Sequence, residues 1–167
     1  MKIVYILSVL VILSCVSCNN KSAEKEKVVD KVVRVQDEDI AINNAIAKAK
    51  STLPLFDKAL NSTNEDFTDF AIKAEYVEDD EHEHIWLNNI SKAKGFYYGT
   101  INNTPESITY IKLGDRVKVN VNDISDWVYY DKNDKAVGGY TIRVFRSRMQ
   151  PDEMNKFDIE MDSSYVE

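Results

Sequence analysis

The chain has 167 residues, 44% of them hydrophobic, and a formal net charge of −7. After a short leader, that length holds one domain of ordinary size with a real core. The acidic balance argues against nucleic acid as a partner and against attachment to anionic lipid through surface charge.

The chain opens with Lys2, an apolar run from Ile3 to Leu13, and Ser14-Cys15-Val16-Ser17-Cys18. A spanning helix needs roughly 20 apolar residues, so this run is too short to cross a bilayer. Its positive start and brief apolar stretch are those of an export signal. The cysteines behind it make it look like a lipoprotein signal, in which a cysteine is acylated and becomes the new N-terminus. Cys15 follows Ile12-Leu13-Ser14, the branched and small pattern such a site prefers; Cys18 is the alternative, because Asn19-Asn20-Lys21 after it begins a polar tether. Several acyl chains, at about 0.8 kcal/mol per buried CH₂, hold a protein to a membrane stably. The chain's two cysteines both lie here, so the domain behind them holds no disulfide, although an exported address permits one. The expected organisation is a signal over 1–17, a flexible tether over 18–36, one domain over 37–160 and a loose tail over 161–167.

Ile42, Ala45, Ile46, Ala49, Leu53, Phe56 and Leu60 form one helical stripe. Asp37 or Asp39 can cap its start, acidic residues suit the first turn, and Pro54 predicts a bend. The period then changes to two. Phe70, Ile72, Ala74 and Tyr76 predict a half-buried strand, and Glu78-Asp79-Asp80-Glu81 an acidic hairpin tip. His84, Trp86 and Asn88 return on one face, with Ile85 and Leu87 on the other. Phe96, Tyr98 and Thr100 begin a third strand. An extended piece at Ile108–Ile111, a turn at Leu113-Gly114-Asp115, and alternation at Val117, Val119 and Val121 follow. Asp126–Tyr130 predicts another strand, closed by the turn Lys132-Asn133-Asp134. Tyr140–Met149 fits either a strand or a helix and is read as helix, with Pro151-Asp152-Glu153 a helix first turn. Strands joined by short turns imply an antiparallel sheet. The expected fold is α+β: an N-terminal amphipathic helix packed on an antiparallel sheet, with short C-terminal helical elements.

Glu83-His84-Ile85-Trp86, Leu113-Gly114-Asp115, Asp123-Ile124-Ser125-Asp126-Trp127 and Gly138-Gly139-Tyr140-Thr141-Ile142-Arg143 occur in this order. With the helix from Ala45 to Phe56, they resemble the YegJ-like bacterial domain of unknown function, over about Ile40 to Met149. The resemblance implies a small bacterial lipoprotein and carries over no catalytic residue.

Two groups of residues could hold chemistry. His82 and His84, two apart on a strand, point to one face and could begin a zinc site; a solvated hairpin tip is the preferred reading, and no metal or cofactor is expected. His84, Trp86, Asp126, Trp127, Tyr129, Tyr140 and Arg143 could form a pocket or contact surface. Equally, Arg143 and Asp126 could be a structural ion pair and the tryptophans core. Gly138-Gly139 suits a place where φ is positive or a side chain would clash. Aromatics on both faces at Phe96-Tyr97-Tyr98 and Tyr129-Tyr130 leave some rings partly exposed. The expectation is a non-enzymatic module, lipid-anchored to a membrane of the bacterial envelope at its periplasmic face or the cell surface. It would bind an envelope protein or a cell-wall component. The competing expectation is an envelope hydrolase using His84 with Asp126 or Glu83.

Overall fold

Asp39 sets the start of the first helix, α1 (Ile40–Leu60), in a computed structural model that describes residues 39–157. The signal with Cys15 and Cys18, the tether and the tail over 161–167 lie outside the described residues. The Asp39 carboxylate accepts from the amides of Ala41 and Ile42 at 3.1 and 3.2 Å, satisfying two of the donors a helix start leaves unpaired. Arg148 grips the same carboxylate at 2.5 and 2.9 Å. This pair and the amide of Ile42 hold the Asp39 carboxyl down to about 2. No acidic residue falls within the first turn itself. The helix runs through Pro54 unbroken. Its buried stripe is Ile42, Ala45, Ala49, Leu53, Phe56 and Ala59, one face at helical spacing.

Six antiparallel strands follow among the described residues: β1 (Thr68–Glu78), β2 (Glu81–Ala93), β3 (Phe96–Ile101), β4 (Arg116–Val119), β5 (Ile124–Tyr130) and β6 (Ala136–Gly138), in the order β4-β3-β2-β1-β5-β6. Two short helices, α2 (Tyr140–Ser147) and α3 (Pro151–Phe157), close the described chain. The segment that fits either class is therefore helical, and α3 begins with proline at its first position as expected.

The sheet has two different faces. Toward α1 it presents Ile72, Ala74, Ile85, Leu87, Tyr97, Ile101 and Trp127, all buried. Phe56 reaches this face from the helix, its ring centroid 5.6 Å from those of Phe70 and Trp127. Three hydrogen bonds pin helix to sheet: Trp127 Nε1 donates to the Ala49 carbonyl at 3.0 Å, and the Tyr97 hydroxyl and the Lys92 ammonium each donate to Asp57 at 2.6 Å. Because side chains alternate along a strand, His84, Trp86 and Asn88 on β2, and Phe96, Tyr98 and Thr100 on β3, point the other way. These six are half-buried. Of the consecutive aromatics, Tyr97 and Tyr129 are buried, while Phe96, Tyr98 and Tyr130 are partly exposed.

Two of the expected strands differ in the structure. Ile108–Ile111 forms no strand. Carboxylates take the amides that a ladder would have used in this loop: Glu83 accepts from Glu106 and Ser107, and Glu78 from Thr109. Only Val117 and Val119 of the third alternation lie in a strand, because a 3-10 turn at Val121–Asp123 ends the pattern and leaves Val121 exposed. The strand β6 had no sequence signal. Among the described residues, no helix is long and apolar enough to cross a membrane.

Candidate functional site

A bulge in β5 builds the polar centre of the domain. Lys73 on β1 faces Asp126, and Ala74 faces Ile124, so Ser125 is an extra residue on the β5 side. Asp126 is fully buried. Its Oδ1 accepts from the amides of Trp127 and Tyr140 at 2.8 and 3.0 Å, and its Oδ2 from the amide and hydroxyl of Thr141 at 2.8 and 2.6 Å. The helix α2 is preceded by Gly139, which has no side chain to cap with. Asp126 supplies the missing cap from across the fold, placing a carboxylate at the helix N-terminus where the exposed amides favour it. Burial pushes the Asp126 carboxyl up, against the pull of Thr141 and Lys73.

Lys73 completes this centre. Its ammonium donates to the Thr141 hydroxyl at 3.3 Å, and Thr141 in turn donates to Asp126. The same ammonium lies 5.0 Å from the centroid of Trp86 and 5.6 Å from that of Phe145. These aromatic faces partly replace the water it gave up. Burial lowers the Lys73 pKa, opposed by the nearby Asp126 charge.

His84 sits beside this cluster, not within a catalytic pair. Its Nδ1 lies 2.9 Å from the Ser125 hydroxyl, which itself donates to the Lys73 carbonyl at 3.3 Å. Ser125 is only 3% exposed, which does not suit a nucleophile. Burial lowers the His84 pKa from its ordinary 6.5, with Glu75 opposing and Lys73 adding to the fall. A folded state that prefers neutral His84 is most stable above pH 6.5 and loses that contribution as the pH falls below it. The urea midpoint of the protein is therefore expected to drop between neutral pH and about pH 5. A His84→Gln variant should drop less over that window; an identical pH profile would contradict this role for His84.

The structure brings His84, Trp86 and Asp126 together around Lys73. It separates the others. Trp127 and Tyr140 meet edge-to-face at 5.7 Å in the core. The Arg143 guanidinium donates to the carbonyls of Gly138 and Ala136, so the Arg143–Asp126 ion pair does not form. The carboxylates of Glu83 and Asp126 are engaged by backbone amides, and neither is bonded to His84. His82 pairs with Glu75 at 2.8 Å, and among the described residues no group of three metal-ligating side chains is assembled. Sequence reading missed Lys73, Ser125 and Thr141. Lys73 reads as the solvent-facing partner in an alternating strand; Ser125 and Thr141 lie within the motifs that carry the family resemblance, but nothing in those motifs gives either a role.

Residues 39–163 match a bacterial family described as "Uncharacterized protein conserved in bacteria (DUF2314)". The chain belongs to the DUF2314 family. It is 35% identical over 102 residues to uncharacterized protein YegJ of Escherichia coli (strain K12), covering 61% of this chain and 65% of that one. It is 32% identical over 132 residues to a putative ankyrin repeat protein, NMB1133/NMB1171, of Neisseria meningitidis serogroup B, covering 74% of this chain and 52% of that one. The chain thus spans less than two thirds of the length of either relative. No solved structure matches it. The DUF2314 match includes the whole polar centre, from Lys73 on β1 to Phe145 on α2.

Proposed function

We propose that this DUF2314 protein is a lipid-anchored binding module of the bacterial cell envelope, contacting a protein or cell-wall component through the second face of its sheet. The observation that carries the binding reading is the contrast between the two faces. The helix-covered face is filled, whereas the second presents half-buried Trp86, Phe96 and Tyr98 beside His84, Asn88 and Thr100. Half-exposed aromatics with polar neighbours are the composition of contact surfaces. The groups a hydrolase would need are occupied in holding the fold: Asp126 caps α2, Glu83 fixes a loop, and Ser125 is closed to substrate. The anchoring reading rests on the sequence around Cys15 and Cys18. Intact mass analysis of the mature protein from membranes is expected to find acyl chains, such as palmitate, on an N-terminal Cys15 or Cys18. An unmodified N-terminus further along the chain would sink the anchor.

A further inference from the structure

Beside the helix-covered face lies a cleft of about 340 Å³, lined by residues including Ala74, Tyr76, Val77, Tyr110, Val119 and Asp123. That volume is at the lower end of those that hold small ligands. Three features set it apart from a surface irregularity. The Tyr76 hydroxyl is buried and has no hydrogen-bond partner within the domain, although buried polar groups are normally satisfied. The ring of Tyr110 packs 6.5 Å from that of Tyr76 at an angle of 56°. Val77 and Tyr110 are also among the most exposed large apolar side chains, at 46% and 58%.

Charge fixes what the cleft would take. Of its two other charged lining residues, Glu75 is bonded to His82, and the Lys118 ammonium sits 3.4 Å from the centroid of Phe96. Asp123 remains, its carboxylate accepting from the Asn120 side chain at 3.0 Å. It lies near enough to Tyr76 to help hold the phenol at about 12, after burial and Tyr110. A carboxylate, a phenol oxygen and two tyrosine rings are the groups that receive an organic cation.

We propose that this cleft binds a primary alkylammonium group, such as the end of a lysine side chain or a diamine. The ammonium would donate to Asp123 and to the Tyr76 oxygen, with its methylenes against Tyr110 and Val77. To reach the buried hydroxyl the ligand would displace the exposed Tyr110 ring, whose own hydroxyl donates to the Val77 carbonyl at 3.4 Å. The lining of the cleft reaches the second face through Glu75, Val77 and Lys118, which register opposite His84, His82 and Tyr98, but the ligand class follows from Asp123 and Tyr76 and does not rest on the envelope reading.

The test uses the full chain in detergent, titrated with 1,5-diaminopentane or Nα-acetyl-lysine methylamide and followed by amide chemical shifts. Nα-acetyl-norleucine methylamide, which lacks the amine, and glucose serve as comparisons. The amines are expected to shift the resonances of Tyr76, Tyr110 and Asp123 saturably at millimolar concentration, and the comparisons are not. Tyr76→Phe and Asp123→Asn should each weaken binding about tenfold, the effect of one lost charge-assisted bond. Tyr76→Phe removes a hydroxyl with no partner in the fold, so this variant stays folded and the loss is readable. Equal binding of norleucine or glucose, shifts confined to other residues, no saturable shift with either amine, or undiminished affinity in both variants would each overturn the proposal.

Discussion

Replacing Asp126 with alanine is expected to destabilise the domain by about 3–5 kcal/mol, the range for removing one partner of a buried charged network. The change orphans four donors at once, the amides of Trp127, Tyr140 and Thr141 and the Thr141 hydroxyl. Lys73 loses the nearby carboxylate that offsets its burial. The loss should appear as a lower urea midpoint, with amide exchange rising first in α2. Lys73→Met, costly in the wild type, should cost less in the Asp126→Ala background, because the ammonium is then already unpaired. A variant within about 1 kcal/mol of wild type, the worth of a single ordinary hydrogen bond, would remove Asp126 from the role of cap.

The second large effect belongs to Gly138. Its φ is +86°, a region that side chains enter with strain, and an added Cβ would fall 2.5 Å from Cε3 of Trp127 as well as against the Trp127 carbonyl. Trp127 is fully buried and its carbonyl accepts from Gly139 at 2.7 Å, so neither group has room to retreat. Strain and overpacking each cost about 1–3 kcal/mol, which puts Gly138→Ala at about 4 kcal/mol in total. Gly114 separates the two causes. Its φ is +88°, but nothing lies within 4 Å of its would-be Cβ. Gly114→Ala should therefore cost only the backbone strain, about 1 kcal/mol. Equal urea midpoints for the two variants would show that close approach to Trp127 carries no cost.

These two residues also mark what the sequence could and could not disclose. The Gly138-Gly139 pair announces itself, because two adjacent glycines before an apolar stretch imply either positive φ or a close neighbour, and here both hold at Gly138. The α1 stripe and the alternation of β1 and β2 are equally plain, since one buried face repeats at a fixed period. Asp126 is different. Its partners are amides 14 and 15 residues away, and nothing local distinguishes a buried cap from a strand carboxylate. Lys73 hides for the opposite reason: it fits the alternation, and only the arrival of Phe145 from α2 closes over it. Tyr140–Met149 was ambiguous because its spacing suits both classes; the cap from Asp126 favours the helix. Ile108–Ile111 looked extended, but the Glu78 and Glu83 carboxylates take amides of its loop from outside the segment.

In the proposed function the second face of the sheet is a contact surface, while the polar centre behind it serves the fold. Photo-crosslinking in living cells addresses this most directly. A photoreactive phenylalanine analogue would be placed at His82 or Tyr98 on that face, and at Leu55, 45% exposed on α1, as the control. A discrete adduct from His82 and Tyr98, with none from Leu55, is the predicted result. Adducts from Leu55 alone, or none from either position on the second face, would contradict it.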